Sequence, residues 1–414
     1  MNILIIIIIV CVIFIALSAY SNLFFSLKEI GVLNTISKLK KCNLKFIDIT
    51  NNEVLLEVKD TNIEQIKVYI IDKNKFIESI YQDQELGLGE TYMKGIWFSN
   101  NLSGFLTILA INSRLNNVSE TLTYNIYSKS INQDKENIKH HYDIGNDFYN
   151  TFLTDKLSAY SCGFWESPND TLDDAQYRKV NTIIMKMDIK QGSKILDIGC
   201  GWGKIANYIA RQSKSHVTGI TVSDKQVEFA QNNFDPKLVN IISIDYRKLN
   251  NIIFDYIYSI GMFEHVRYEN YDDFFSTINR CLSPKGKFVL HTIVYNDNKE
   301  PDSNIKAFVT THIFPGGQIP KNDWIVHKAE VNGLRIVHTE FFGGQHYAQT
   351  LRIWRKNMLK QKNYILKNYG KELFLKYEYY FTICEAGFNT NMMGIGQYVI
   401  IKGDTVNLSN SFIY

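Results

Sequence analysis

Lys194-Ile-Leu-Asp197-Ile-Gly199-Cys-Gly201-Trp-Gly203 is a short apolar run that ends in three glycines at alternate positions. Glycine admits positive φ and lets backbone approach a ligand closely, so the run reads as a strand entering a tight ligand-binding turn. The spacing excludes two common phosphate cradles. A dinucleotide fingerprint needs glycine at position 204, where Lys204 stands. A P-loop needs glycine at 198 and a hydroxyl at 205, and both are isoleucine.

Outward from this turn the pattern alternates. Ile205 to Gln212 reads as a helix, His216 to Thr221 as a strand, and Asp224 to Asn233 as a helix. Further strands are expected at Asn240 to Ile244, Phe254 to Ile260, Gly286 to Thr292 and Arg335 to Phe342. Such alternation predicts a parallel sheet with helices on both faces, whose ligand lies beyond the carboxyl ends of the strands. Upstream, residues 43–75 alternate apolar and polar positions as short strands do, and 76–112 look helical. The polar stretch Lys129 to Lys139 reads as a linker. The expected domains are therefore 26–128, a linker at 129–139 and a second domain at 140–414.

The chain has 414 residues, 45% hydrophobic and 21% charged, which suits a folded protein of more than one core. Its net charge of +3 is too mild to imply a nucleic-acid partner, and it leaves an anionic lipid surface open. The six cysteines are scattered, with none at metal-ligand spacing, so reduced thiols and no metal are expected. Ile3 to Leu17 is an unbroken apolar run that Asn22 to Phe25 extends, just long enough for a transmembrane anchor at 1–25. A cleaved signal sequence is the rival, but no basic residue precedes the run. Lys28, Lys38, Lys40 and Lys41 follow it, which would hold the rest on the cytoplasmic side of a membrane.

Asp-x-Gly-x-Gly-x-Gly looks like the first motif of the class I methyltransferases. Several other blocks narrow the class: Gly87-Leu-Gly-Glu-Thr-Tyr-Met-Lys-Gly95, His141-Tyr-Asp-Ile-Gly-Asn-Asp-Phe-Tyr149, Tyr160-Ser-Cys162, Gly219-Ile-Thr-Val-Ser223, Gly261-Met-Phe-Glu-His265, Phe314-Pro-Gly-Gly-Gln-Ile-Pro320 and His346-Tyr-Ala-Gln-Thr-Leu351. Together they resemble the cyclopropane-fatty-acyl-phospholipid synthases and the related mycolic-acid cyclopropane synthases. The resemblance runs over roughly residues 80 to 402. It implies a Rossmann-like α/β methyltransferase domain behind a small α+β domain, acting on an unsaturated membrane phospholipid, with a homodimer expected.

The resemblance also implies a two-sided site. Tyr160, Ser161, Asp197, Gly199, Gly201, Gly203, Thr221 and Gln226 would bind S-adenosylmethionine. Cys162, Glu264, His291, Tyr347 and the backbone of Ile293 would hold a bicarbonate ion, and Cys384 matches a further active-site candidate. The chemistry fits. An alkene is a weak nucleophile, so the sulfonium must drive the attack in a dry pocket, and ring closure then needs a base to remove one proton.

Each residue also has a plainer role. Glu264 or His265 could cap a helix, with His265 the more structural of the two. His291 could be a satisfied core residue, and Cys162, Cys200 and Cys384 small core hydrophobes. Eight basic side chains between Arg352 and Lys376 form a solvated helix face or a dock for anionic lipid heads. Methylation of another lipid such as a sphingoid base, N-methylation of a small amine, and a catalytically silent lipid-binding protein remain as alternatives.

Overall fold

The computed structural model describes residues 25–116, 145–250, 252–296 and 303–403. The run at 1–24, the linker at 129–139 and His141 to Ile144 lie outside the described residues. Among those described, no helix is long and apolar enough to cross a membrane. They form two compact units: one of 25–116, 303–308 and 366–383, the other of 145–250, 252–296, 309–365 and 384–403. The sequence had placed all of 140–414 in one domain. The 366–383 stretch groups instead with the first unit.

The first unit carries a four-stranded sheet, β1 (Asn43–Asp48), β2 (Glu53–Lys59), β3 (Ile66–Ile70) and β4 (Trp97–Ser99), in the order β2-β1-β3-β4. Its core gathers Phe46, Val68, Phe76, Trp97 and Phe105. Helix α1 (Lys73–Met93) kinks at Gln84, and a side chain at Gly87 would lie 2.1 Å from the Ser79 carbonyl oxygen. The glycine of the upstream block therefore serves the kink. It lets two helix segments touch.

The second unit holds α2 (Leu172–Met187), β5 (Lys194–Ile198), α3 (Lys204–Ser213), β6 (His216–Thr221), α4 (Asp224–Asn233), β7 (Val239–Ser243), β8 (Phe254–Ile260), α5 (Tyr271–Cys281), β9 (Leu282–Tyr295), α6 (Asn322–Val331), β10 (Leu334–Phe342), α7 (Gln345–Lys360), the end of α8 (Lys362–Asn389) and β11 (Met393–Lys402). Thr171 and Asp174 close a reciprocal capping box on α2, with acidic Asp173 and Asp174 in its positive first turn. Ile195 packs into the cluster under α2 and α3, and the next residue, Leu196, into the cluster under α5. Both faces of β5 are thus covered, as the alternation predicts.

The order of the seven strands is β10-β11-β9-β8-β5-β6-β7. The expectation of a parallel sheet holds for five of the seven strands and is corrected for the other two. β5 to β9 pair in parallel, but β11 is inserted antiparallel between β9 and β10. Met393-Gly-Ile-Gly-Gln-Tyr-Val-Ile gives no alternation because a central strand is buried on both faces. After β7 the chain returns to the other side of β5, so the glycine turn sits at a switch point of the sheet.

Candidate active site

The glycine turn has the conformation its sequence demands. Gly199, Gly201 and Gly203 hold φ of 83°, 54° and 75°, a region costly for other residues. Gly199 backs onto Met262, whose Cγ would be 2.5 Å from an added Cβ, whereas a Cβ at Gly201 would meet nothing within 4 Å. Gly201 therefore borders open space. That space is a cleft of about 1220 Å³, counted out to its open mouth.

Tyr160, Ser161, Gly199, Gly201, Thr221 and Gln226 all line this cleft. Thr221 Oγ1 donates to Gln226 Oε1 at 2.6 Å, which leaves the Gln226 amide nitrogen as a donor. Asp197 and Gly203 do not line it. Asp197 lies within the sheet and accepts from the Tyr258 hydroxyl at 2.8 Å, with burial pushing its carboxyl up to about 7. Gly203 caps α3 and packs toward Ile241 and Phe234. Both serve the turn from behind.

The sequence reading passed over several lining residues. Asp245, Tyr246 and Arg247 form a short turn beyond β7, where Asp245 and Arg247 pair at 2.7 Å. Their signal was position alone, since ligands of such sheets lie beyond the carboxyl ends of the strands. Trp202 also lines the cleft, and its indole N–H donates to Asn146 Oδ1 at 3.0 Å. His265, expected to be structural, lines the cleft too; burial depresses its pKa to about 4, so it is neutral there.

Behind the cleft wall stands a second group. Cys162 follows Ser161, and Glu264 lies between Met262 and His265, so both adjoin lining residues. Cys162 is fully buried and packs with Phe164, Ile395, Ile293, Phe342 and Tyr347. Burial raises its thiol pKa far above the ordinary value, so it is protonated. The Tyr347 ring, in the first turn of α7, lies 4.6 Å from Phe388 and 6.0 Å from Trp354. His291 on β9 is 1% exposed, and Phe164 is 5.8 Å from its ring. Burial and then the charges of Lys179 and Lys186 hold its pKa well below normal, so the ring is neutral.

Glu264 is the unusual member. Its Oε1 accepts the Ile293 backbone N–H at 2.8 Å, while Oε2 is shut from solvent without a partner. Burial lifts the carboxyl to about 7. The Ile293 amide, expected to meet an anion, is thus already donated to Glu264. A buried carboxylate oxygen left without a hydrogen bond is costly, which marks a place where a small partner belongs. An anion that also carries one O–H suits the donor set: it could donate to Oε2 and accept from a phenol and a neutral imidazole, while the Cys162 S–H donates to the Gly163 carbonyl oxygen.

Beneath Ser161, Lys179 is fully buried and donates to Ser161 Oγ at 2.7 Å and Gln176 Oε1 at 2.6 Å. Burial lowers its pKa to about 8. In the basic stretch Leu351, Trp354 and Met358 are core at 0–1% exposed, whereas Leu359 is exposed; Lys356 and Lys360 face solvent, and Arg352 pairs with buried Glu385 at 2.9 Å.

A chain with a donor cleft abutting such a cluster can be placed by comparison. Residues 129–398 match the family model described as mycolic acid cyclopropane synthetase. The chain belongs to this family. It is 34% identical over 338 residues to the cyclopropane-fatty-acyl-phospholipid synthase of Escherichia coli K12, covering 79% of this chain and 86% of that protein. The structure of the cyclopropane synthase MmaA2 from Mycobacterium tuberculosis superposes with a TM-score of 0.61 at 28% identity, over 67% of this chain and 100% of that one. A structure of the mycolic acid cyclopropane synthase CmaA1 complexed with SAH and CTAB gives 0.61 at 29% identity, over 65% and 98%.

Cys384 is the remaining candidate, and it is half-buried. It lies one helical turn before Phe388 on α8, and burial pushes its thiol up to about 12. Only a thiolate is a good nucleophile or base, so this thiol is idle at neutral pH. Cys384→Ala is expected to keep kcat within about threefold of the parent, a small-hydrophobe replacement at a site without thiolate character. A steady-state assay of methyl transfer checks it, and a loss of a hundredfold would reinstate the thiol.

Proposed function

We propose that this enzyme, an S-adenosylmethionine-dependent methyltransferase of the cyclopropane synthase family, converts a cis double bond in a phospholipid acyl chain into a cyclopropane ring. One observation carries the reading: the glycine-turn cleft abuts an apolar cluster in which Glu264 Oε2 is buried with no hydrogen-bond partner. The donor, when bound, supplies an electrophilic sulfonium methyl. Tyr160, Ser161, Gly199, Gly201, Thr221 and Gln226 hold it, and Tyr246 and Arg247 extend the same wall.

The acceptor side has to exclude water and then remove one proton. Phe164, Ile293, Phe342 and Ile395 keep it dry. Tyr160, Tyr347 and Trp354 present aromatic rings, with Tyr160 and Trp354 5.2 Å apart, and such faces stabilise a transient carbocation. Bicarbonate, when bound, supplies the base that takes the methyl proton. Glu264, His291, Tyr347 and Cys162 are the residues that would hold it. Glu264, near its own pKa at neutral pH, sets the protonation of whatever it touches.

The same reading carries the protein to its substrate by a membrane anchor at residues 1–25, with the catalytic unit on the cytoplasmic side. Exposed Lys356 and Lys360 suit anionic lipid heads. A homodimer belongs to it as well.

Expression in bacteria that lack such an enzyme, followed by gas chromatography–mass spectrometry of fatty-acid methyl esters, tests the proposal. The expected result is new species about 14 mass units heavier, one CH₂, without the double bond. Methyl-branched chains that retain the double bond, or methylation of amine headgroups alone, would refute it.

A further inference from the structure

Gln397 is the register partner of His291 across the β9–β11 pair, and both are sealed from solvent. Its side chain is gripped at both ends. Lys186 Nζ, from α2, makes a short hydrogen bond to Gln397 Oε1. Glu340 Oε2, on β10, anchors the same Lys186 Nζ at 2.5 Å. An ammonium can only donate, so the atom it contacts on Gln397 is the carbonyl oxygen, and the amide orientation is fixed. The NH₂ group is therefore the end that lies 3.1 Å from His291 Nδ1. An NH₂ group also only donates, so Nδ1 is the ring's acceptor.

We propose that Lys186 and Gln397 are positioning residues that fix the tautomer of His291, placing its single proton on Nε2. The proposal rests on His291 belonging to the reaction centre, as read above. Its consequence is directional. A neutral imidazole with Nε2–H offers a donor to an anionic base, whereas the other tautomer would set a lone pair against it. Three residues on three elements, none of them in the donor cleft, thereby decide which way the imidazole works.

Nitrogen-15 spectra of histidine-labelled protein, with the His291 signals identified by their loss in His291→Gln, read the tautomer directly. The expected spectrum has a bare Nδ1 and a protonated Nε2. Gln397→Glu keeps the shape but turns the NH₂ donor into a carboxylate acceptor beside Nδ1, so Nδ1 should become protonated. Its kcat on vesicles of unsaturated phospholipid should fall by about 10- to 100-fold, the usual cost of losing the group that orients a working imidazole. The KM for S-adenosylmethionine should stay within about twofold, because neither residue lines the cleft. Lys186→Met should fall similarly and Lys186→Arg recover most of the loss. A wild-type ring protonated at Nδ1 overturns the proposal. So does a Gln397→Glu enzyme with unchanged kcat while His291→Gln is inactive. If His291→Gln itself is fully active, the reading of the reaction centre fails, and the tautomer proposal with it.

Discussion

Glu264→Gln is expected to lower methyl transfer by a hundredfold or more, in the range ascribed to a positioned acid–base group, while the enzyme still binds S-adenosylmethionine normally. Glu264 is not among the residues that line the cleft, so donor affinity and turnover should separate. Glutamine keeps the acceptor for the Ile293 N–H but cannot gain or lose a proton. Calorimetric titration of the donor and single-turnover assays check the two halves. An unchanged rate would remove Glu264 from the reaction.

The same substitution has a stability signature. The carboxyl is lifted from its ordinary 4.5 to about 7 because burial disfavours its charged form. A group whose pKa is raised on folding contributes stability that is complete below its unfolded value and lost as pH rises through the folded one. Over that window the loss is on the order of 3 kcal/mol, taking about 1.4 kcal/mol per pH unit. Glu264→Gln should thus match the parent in Tm near pH 4.5 and exceed it increasingly up to about pH 7. A Tm difference that is flat with pH would mean that the carboxyl is not shifted. With the shift present, the variant is more stable than the parent near pH 7, as expected when a strained charge is kept for chemistry.

Gly201→Val should abolish donor binding while leaving the protein folded. Valine at φ of 54° costs on the order of 1–2 kcal/mol in backbone strain. Its Cβ meets no protein atom within 4 Å, so the lost space is the ligand's rather than the core's. A Kd raised by about 100-fold or more, near 3 kcal/mol, is the expected readout. Gly199→Ala makes the contrast. There the Cβ would press on Met262 at 2.5 Å, so stability should fall along with affinity. Near-native affinity in Gly201→Val would place the donor elsewhere.

The donor side of the site was largely legible because its determinants are local. Three glycines in seven residues dictate a turn, and a strand before and a helix after dictate where the turn sits. Gly201 could be assigned on that basis alone, yet Asp197, two residues before the first glycine, faces the sheet rather than the cleft. Asp245 to Arg247 went unnoticed because no glycine or period marks them; only the order of strands carries them to the same mouth.

The acceptor side was legible only through resemblance. Glu264, His291 and Tyr347 sit on a loop, a strand and a helix, and no spacing rule relates them. The chain by itself determined the alternating elements, the switch-point turn and the residue types for sulfonium chemistry, since these follow from periodicity and backbone sterics. Tertiary structure alone decided that β11 enters antiparallel, that Glu264 Oε2 is shut away unpartnered, and that Lys186 and Gln397, 211 residues apart, converge on one imidazole. Burial and hydrogen-bond partners are properties of the packed molecule. Each depends on residues distant in sequence, 29 positions apart for Glu264 and Ile293 and 211 for Lys186 and Gln397, which only the folded sheet brings together.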